Sequence, residues 1–353
     1  MRDCRGTKVY CCHNLEQREA REGLREGARI LKEAGVVAFP TETVYGLGAN
    51  GLDEEAVRSI FQVKGRPTDN PLILHLASTD NLNSLVREVP EQARLLMDEF
   101  WPGPLTIILR RRTRVPSVTT AGLDTVALRM PDHQVALALI QEAGLPLAAP
   151  SANLSGLPSP TRAQHVLDDF AGRIPLLLDG GETGIGLEST VIDLTRSPPL
   201  LLRPGGLTIE ELQGKLGRVE LADSLEMETP SSPGLKYRHY APRAEMIVFE
   251  GKPELVREEL LRRAEKAHQQ KRMVGILSTS ESFSLYFQEG FMVLKLGSMY
   301  RPREIAHNFF YLLRELDRLG VDLILAEGVE SRGLGLAIMN RMRKSASHRV
   351  VRL

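Results

Sequence analysis

Two rhythms of apolar and polar positions run along this 353-residue chain. Short apolar runs bounded by Gly, Pro or Asn read as buried strands, and apolar residues recurring every three or four positions read as one face of a helix. Val36-Val37-Ala38-Phe39 is a run of the first kind, ended by Pro40, and Leu72-Ile73-Leu74, introduced by Asn70-Pro71, is another. Between them Thr41 to Gly48 reads as a polar, glycine-bearing turn, and Asp53 caps a helix with Glu54 and Glu55 in its first turn, where the dipole favours anions. Ahead of this passage, Lys8 to Cys12 reads as a short strand. Asn14 with Gln17 resembles a capping box for a helix through Ala20, Leu24, Ala28 and Leu31 that Gly35 stops.

The same rhythms continue. Ser78 to Val86 reads as a short helix, and Pro90 opens another through Phe100. Leu105 to Leu109 and Thr125 to Met130 read as strands, Asp132 caps a helix through Ile140, and Pro146 to Ala149 is a strand running into the polar loop Pro150 to Gly156. Thr161 caps a helix to Phe170. Strands follow at Leu176 to Leu178, Thr190 to Leu194 and Leu200 to Leu202, and Thr208 caps a helix ending near Leu216. From Gly217 to Arg243 the periodicity fails and Ser, Pro, Glu and Gly dominate, as in a linker. This one also holds Tyr237, Arg238, His239 and Tyr240, side chains suited to docking on a site. Beyond it, strands (Glu245 to Phe249, Val274 to Leu277, Met292 to Leu296, Leu323 to Ala326) alternate with helices (Glu254 to His268, Ser280 to Gln288, Arg303 to Leu319, Leu336 to Ala346). That alternation predicts a small parallel α/β domain, Rossmann-like in class. The dinucleotide fingerprint is missing after its first strand, and Gly333-Leu334-Gly335 comes too late to replace it.

Composition narrows the function classes. Hydrophobic residues make up 42% and charged residues 25%, as in an ordinary soluble globular protein. Lys plus Arg and Asp plus Glu number 45 each, so bulk charge gives no reason to expect nucleic-acid binding. No apolar run approaches the roughly 20 residues of a membrane span, and the N-terminus lacks a signal-peptide core, so no membrane association and cytoplasmic residence are expected. Cys4, Cys11 and Cys12 form neither a CxxC pair nor a ligand cluster, which argues against a disulfide framework or a structural zinc site.

There is no GxxxxGK[ST], GxSxG or HExxH. What remains is a set of polar residues at predicted strand ends and loops: Thr43, Lys64, Arg66, Arg129, Ser151, Asn153, Thr161, Ser189 and Arg203. Loops on a rigid scaffold carry binding groups, and Lys-x-Arg offers a point charge and a planar fork for phosphate. At a helix C-terminus the same pair also serves simply as a solvated complement to the dipole. Any one of the arginines could instead pair with a carboxylate. Several cations, hydroxyls and an amide without an evident nucleophile or base suit phosphoryl or nucleotidyl transfer, which works by positioning and charge stabilisation. His75, ending an apolar strand, reads by itself as a satisfied strand-end histidine. Arg110 to Arg114 reads as a solvated strand end, with an anion or RNA contact as the alternative.

In order, PTETVYGLGAN, KGRPTDNPLILH, WPGPLT, ALRMP, APSANLSGLPSPT, STVID, LLRPGG and SPGLKYRHYAP resemble the motifs of the Sua5/YrdC/TsaC family of threonylcarbamoyl-AMP synthases. The resemblance spans roughly Val36 to Pro242, and AIMNRMRKSASH extends it to the long Sua5 form. It implies an α/β fold in which a YrdC-like twisted mixed sheet with helices forms a concave cavity, followed by the smaller Rossmann-like domain. The implied domains are a catalytic domain 1–217, a linker 218–243 that covers the active site, and a C-terminal domain 244–353. The implied reaction takes L-threonine, bicarbonate and ATP to L-threonylcarbamoyladenylate and pyrophosphate, a nucleotidyl transfer serving t6A modification at position 37 of tRNA. By resemblance Lys64 and Arg66 are catalytic and serve the ATP phosphates. Asn70, Thr125, Ser151, Asn153, Thr161 and Arg203 line the nucleotide, and Tyr240 closes over it. Thr43, His75, Arg129 and Ser189 hold L-threonine, with Arg129 the natural partner of its carboxylate. Mg²⁺ is expected to arrive with ATP, without a site of protein ligands. Implied partners are a downstream threonylcarbamoyltransferase complex of the TsaD or KEOPS type and a weak tRNA contact. The rival readings are an RNA-binding or regulatory YrdC-type module without synthase activity, and carbamoyl transfer as in hydrogenase maturation proteins, whose acylphosphatase and zinc-finger segments are missing here.

Overall fold

The computed structural model describes residues 1–222, 239–289 and 291–353, so residues 223–238 of the expected linker, Tyr237 and Arg238 among them, lie outside the described residues. The chain forms two compact units. The first comprises residues 1–155 and 159–222, the second residues 156–158 and 239–353.

The first unit runs β1 (Arg2–Cys4), β2 (Thr7–Cys11), α1 (Arg18–Lys32), β3 (Val37–Phe39), β4 (Gly46–Asn50), α2 (Glu54–Lys64), β5 (Ile73–His75), α3 (Leu82–Leu85), α4 (Glu91–Phe100), β6 (Leu105–Arg110) and β7 (Thr125–Arg129). It continues with α5 (Gln134–Ala143), β8 (Leu147–Ala148), α6 (Ala163–Phe170), β9 (Leu176–Asp179), β10 (Thr190–Asp193), β11 (Leu200–Arg203), α7 (Ile209–Leu216) and β12 (Glu220–Leu221). The strands hydrogen-bond in the order β1-β2-β9-β3-β4-β8-β5-β7-β6-β10-β11-β12. Parallel pairs such as β5/β7 and β6/β10 mix with antiparallel ones such as β3/β4 and β6/β7. Helix α1 buries Ala20, Leu24, Ala28 and Leu31 as its spacing predicts. Gly23 and Gly27 share that buried face. A Cβ at either would lie 2.7 Å from the Tyr10 side chain or 2.9 Å from Leu139, so α1 packs against β2 and α5 through bare backbone.

Local signals set several boundaries as read. The Asp53 carboxylate accepts from the Glu55 and Ala56 amides, and Gly65 closes α2 in the left-handed conformation. Thr208 and Glu211 form a reciprocal capping box on α7. Others differ. The Asn14 side chain accepts from the Glu16 amide, and Gln17, at the N-cap of α1, makes no side-chain bond there. His133 rather than Asp132 caps α5, its Nδ1 accepting from the Val135 amide, and α6 starts after Arg162 rather than at Thr161. The turn predicted for Thr41 to Gly48 ends in a strand, because Gly46–Asn50 pairs with both β3 and β8. The glycines there make room for a ring: a Cβ on Gly48 would sit 2.6 Å from Phe39 Cε1. Of the residues read as linker, 220–221 form a short strand on β11.

The second unit runs β13 (Glu245–Glu250), α8 (Pro253–Gln269), β14 (Val274–Thr279), α9 (Phe283–Gln288), β15 (Met292–Gly297), α10 (Pro302–Leu319), β16 (Leu323–Glu327), α11 (Leu334–Ser345) and β17 (Val350–Arg352). Its sheet order is β15-β14-β16-β13-β17, and each pairing is parallel, as the alternation predicts. Helix α10 buries Ile305, Phe309, Leu312, Leu313 and Leu316. Among the described residues no helix is long and apolar enough to cross a membrane.

Candidate active site

Five neighbouring strands of the first unit bring polar residues to one edge of the sheet. His75 ends β5 and stands in register with Arg129, which ends β7. Arg129 is in turn opposite Thr106 on β6. β6 runs parallel to β10, immediately preceded by Ser189, and the Ser189 and Thr106 hydroxyls lie 2.7 Å apart. Arg203 ends β11 and donates from Nε to the Ser189 carbonyl (3.0 Å) and from Nη2 to its hydroxyl (3.1 Å). The row His75, Arg129, Thr106, Ser189, Arg203 is buried throughout. Gly205 lets the chain beyond Arg203 lie on this row, since a Cβ there would be 2.3 Å from the Ser189 carbonyl carbon and the Thr190 nitrogen.

The loop after β3 folds over the Arg129 end. Arg129 Nη2 donates to Glu42 Oε2 (2.6 Å) and to Thr43 Oγ1 (2.9 Å), and Nε reaches the Gly103 carbonyl at 3.4 Å. The Thr41 hydroxyl donates to the Val44 carbonyl (2.6 Å), so the 2.8 Å contact between the two hydroxyls has Thr43 as donor. Proton direction is therefore set from Arg129 through Thr43 and Thr41 to the backbone. Glu42 and Thr43 also accept, through their carbonyls, from the Ile185 and Gly186 amides. Glu42 Oε1 is buried and makes no hydrogen bond.

His75 is held neutral. Burial, and then the Arg129 charge beside it, push its pKa down to about 3 against two backbone carbonyls, Ile73 and Leu147, that favour the proton. Its Nδ1 is 3.2 Å from the Ile73 carbonyl, and its ring meets Phe39 edge to face. His133, facing Glu42 and Asp132, is also shifted down by burial.

At the C-terminus of α2, Lys64 meets the loop that carries Ser151 and Asn153. The buried Lys64 ammonium donates to the carbonyls of Ser151 and Asn153, both at 2.5 Å, and the Lys64 carbonyl accepts from the Ser155 amide. Lys64 thus fixes the loop after β8, a role that sequence reasoning missed. Arg66 follows two residues on and is half-buried. Asn70 is fully buried, and neither its amide nitrogen nor its oxygen has a hydrogen-bond partner. Asn70 precedes β5 and Thr125 opens β7, so this pair lies at the opposite ends of those strands from His75 and Arg129. Four residues along β7 amount to about 13 Å. Thr161 is buried, its amide donating to His165 Nδ1 and its carbonyl accepting from Thr183. Tyr240 belongs to the second unit, where its buried ring packs 5.2 Å from Phe310 and 5.7 Å from the Arg341 guanidinium. Glu42, Thr41, Thr106 and Gly205 were not foreseen. Glu42 lies within the PTETVYGLGAN motif, but nothing in that stretch by itself announces Arg129 as its partner.

The arrangement is a set of buried cations, hydroxyls and amides, with Glu42 and Glu188 as carboxylates already engaged, on Arg129 and on the Ser159 hydroxyl. Such a set suits an anionic substrate. Among the described residues no group of three or more His, Cys, Asp or Glu side chains could hold a metal ion. The second unit has a cavity of about 930 Å³ at the carboxyl ends of β13, β14 and β16. Its lining includes Glu250, Glu281 and Glu327. Glu327 accepts from Thr279, Ser282 and Tyr286, and Glu250 from Arg343. That lining is rich in carboxylates and disfavours an anionic ligand.

The Sua5/YciO/YrdC family model, described as telomere recombination, matches residues 29–205, and the threonylcarbamoyl-AMP synthase C-terminal domain matches residues 207–347. A Pyrococcus abyssi protein named threonylcarbamoyl-AMP synthase is 50% identical over 343 residues, 96% of this chain and 98% of its own length. A Bacillus subtilis protein of the same name is 48% identical over 93% of this chain and 94% of its own. The crystal structure of P. abyssi Sua5 complexed with L-threonine superposes with a TM-score of 0.92 at 50% identity, covering 98% of this chain and 100% of that one. With both modules matched in order and nearly end to end, the chain belongs to the Sua5/YrdC family of threonylcarbamoyl-AMP synthases, in its long, two-domain form.

Proposed function

We infer that the protein is an L-threonylcarbamoyladenylate synthase, a nucleotidyltransferase that converts L-threonine, bicarbonate and ATP to L-threonylcarbamoyladenylate and pyrophosphate for the t6A modification of tRNA. The observation that carries this reading is the near-complete match, in sequence and in fold, to relatives named for that product. The amine of threonine condenses with bicarbonate, losing water, to give an N-carboxylate. One oxygen of that carboxylate attacks the α-phosphorus of ATP, and pyrophosphate leaves. No strong base is needed for the second step, and the demand falls on cations that offset charge on the leaving group.

The residues divide accordingly. Arg129, with Thr43, His75 and Ser189 in the same region, is the group for the amino acid, and its planar fork suits the carboxylate. Neutral His75 adds no second cation there and can take part only as a hydrogen-bond donor or acceptor. Lys64, Arg66, Asn70, Thr125, Ser151, Asn153, Thr161 and Arg203 serve the nucleotide. Lys64 does so partly by holding the 151–153 loop in place, and Asn70 offers a buried amide with donors and acceptor uncommitted. Tyr240 is the candidate cover for the nucleotide. Mg²⁺, bound to the ATP phosphates, would supply further charge neutralisation. The product is a reactive mixed anhydride, which a threonylcarbamoyltransferase complex of the TsaD or KEOPS type would consume with tRNA. Cytoplasmic residence follows from that role.

Pyrophosphate release from ATP tests the reading. Release should require both L-threonine and bicarbonate, and Arg66→Ala should lower it by about 100-fold while leaving the circular dichroism spectrum and melting profile near wild type. Submicromolar tRNA binding without threonine-dependent pyrophosphate release would favour an RNA-binding module instead.

A further inference from the structure

We propose that Glu42 holds the amino group of the L-threonine substrate, its Oε1 accepting a hydrogen bond from the nitrogen that becomes carboxylated. The proposal rests on the synthase reading above. Glu42 lies in the loop after β3 and is mostly buried, with its side chain 12% exposed. One oxygen, Oε2, is fixed 2.6 Å from Arg129 Nη2. The other is buried and bonded to nothing in the protein. A carboxylate oxygen out of water accepts hydrogen bonds from several directions and is costly to leave without any. Thr183 Oγ1 is likewise buried with no partner, two residues before Ile185, whose amide binds the Glu42 carbonyl. The polar groups around this loop therefore lack a partner that a bound donor would supply.

Among the three substrates the chemistry selects threonine. ATP and bicarbonate are anions that a carboxylate repels. Threonine carries its carboxylate and its amine on adjacent carbons, a dipole that the Arg129–Glu42 pair mirrors. With the carboxylate on the guanidinium, the amine falls beside the carboxylate that is already bonded to that guanidinium. The contact survives the first chemical step, because the nitrogen keeps one N–H after carboxylation. The charge of Glu42 also disfavours the new carboxylate on its own side, so the attacking oxygens turn toward the cations of the nucleotide group.

The test is direct binding to the full chain, by calorimetry, of three ligands: L-threonine, 3-hydroxybutanoate, which lacks the amine, and L-2-aminobutanoate, which lacks the hydroxyl. Wild type should bind L-threonine at least about 10-fold more tightly than 3-hydroxybutanoate. Glu42→Gln should weaken threonine by about 10- to 100-fold and 3-hydroxybutanoate by less than about 3-fold, so the preference for the amine collapses. Glu42→Asp, which keeps the charge, is read in the same way should the glutamine variant not fold. Equal weakening of threonine and 3-hydroxybutanoate overturns the proposal, since Glu42 would then act only by orienting Arg129. A change confined to the threonine to 2-aminobutanoate ratio overturns it too, by assigning Glu42 to the hydroxyl. Wild type that binds threonine and 3-hydroxybutanoate equally refutes it without any variant. Absence of threonine binding by the wild type, in contrast, removes the synthase reading itself.

Discussion

Arg129→Met separates the structural from the functional role of the most connected residue in the site. The substitution removes a guanidinium that is 4% exposed and bonded to Glu42, Thr43 and the Gly103 carbonyl. It leaves the Glu42 carboxylate buried without its counter-charge. Breaking a buried pair from one side costs about 3–5 kcal/mol. At about 2–4 °C per kcal/mol for a domain of this size, the melting temperature should fall by roughly 10 °C. Charge-assisted hydrogen bonds to the substrate carboxylate are worth about 1.5–3 kcal/mol, which translates to a rise of roughly 10- to 150-fold in the KM for threonine. The KM for ATP should move by less than about 3-fold, because the nucleotide residues other than Arg203 lie outside the row that holds Arg129. The double variant Arg129→Met/Glu42→Leu removes both charges. It should recover most of the lost stability and none of the threonine affinity, since a buried pair replaced by apolar side chains is close to neutral. Steady-state pyrophosphate release with each substrate varied in turn, and thermal unfolding of both variants, measure these quantities. An unchanged KM for threonine, or a change confined to ATP, would refute the division of the site, and a double variant as unstable as the single one would refute the pairing argument.

Two further outcomes follow from the same geometry. Burial and Arg129 hold the His75 pKa at about 3, below the ordinary 6.5, so stability from the neutral ring is fully present above pH ~6.5 and declines as pH falls toward 3. His75→Gln should therefore flatten the acid limb of urea-derived stability by up to ~1.4 kcal/mol per pH unit between pH 6 and 4, and identical slopes for variant and wild type would show that His75 does not govern it. Gly205→Ala should lower stability by about 1–3 kcal/mol and impair pyrophosphate release, because its Cβ meets backbone atoms of Ser189 and Thr190 that cannot rotate away. Wild-type stability and activity in that variant would show that the chain beyond Arg203 does not depend on this close approach.

Much of the molecule was legible in the chain itself. Asp53, Gly65 and Thr208 act on backbone groups within a few residues, so their caps could be read directly. Helix α10 declares its buried face through a spacing that depends only on helical geometry, and the alternation beyond residue 243 specified a parallel sheet, because short connections through helices permit little else. The ordered motifs carried the family. Glycine was the weakest guide. Gly46 and Gly48 look like turn residues, yet they lie in a strand under the Phe39 ring, a contact with a partner that nothing local announces.

What the sequence determined by itself is therefore local: which segments extend or coil, where they stop, and which residue types are available for chemistry on an anion. The tertiary structure alone decided which of those residues meet. His75, Arg129, Thr106, Ser189 and Arg203 span almost 130 positions and become neighbours only because β5, β7, β6, β10 and β11 are adjacent in that order and in that register. It also separated Asn70 and Thr125 from His75 and Arg129 on the same two strands, gave Lys64 a loop to hold, and turned Glu42 from an acidic loop residue into the partner of Arg129 with one oxygen unspent. Side-chain identity specifies what a group can bond, whereas strand order and register specify what it can reach. Those depend on pairings between distant segments that no local pattern encodes.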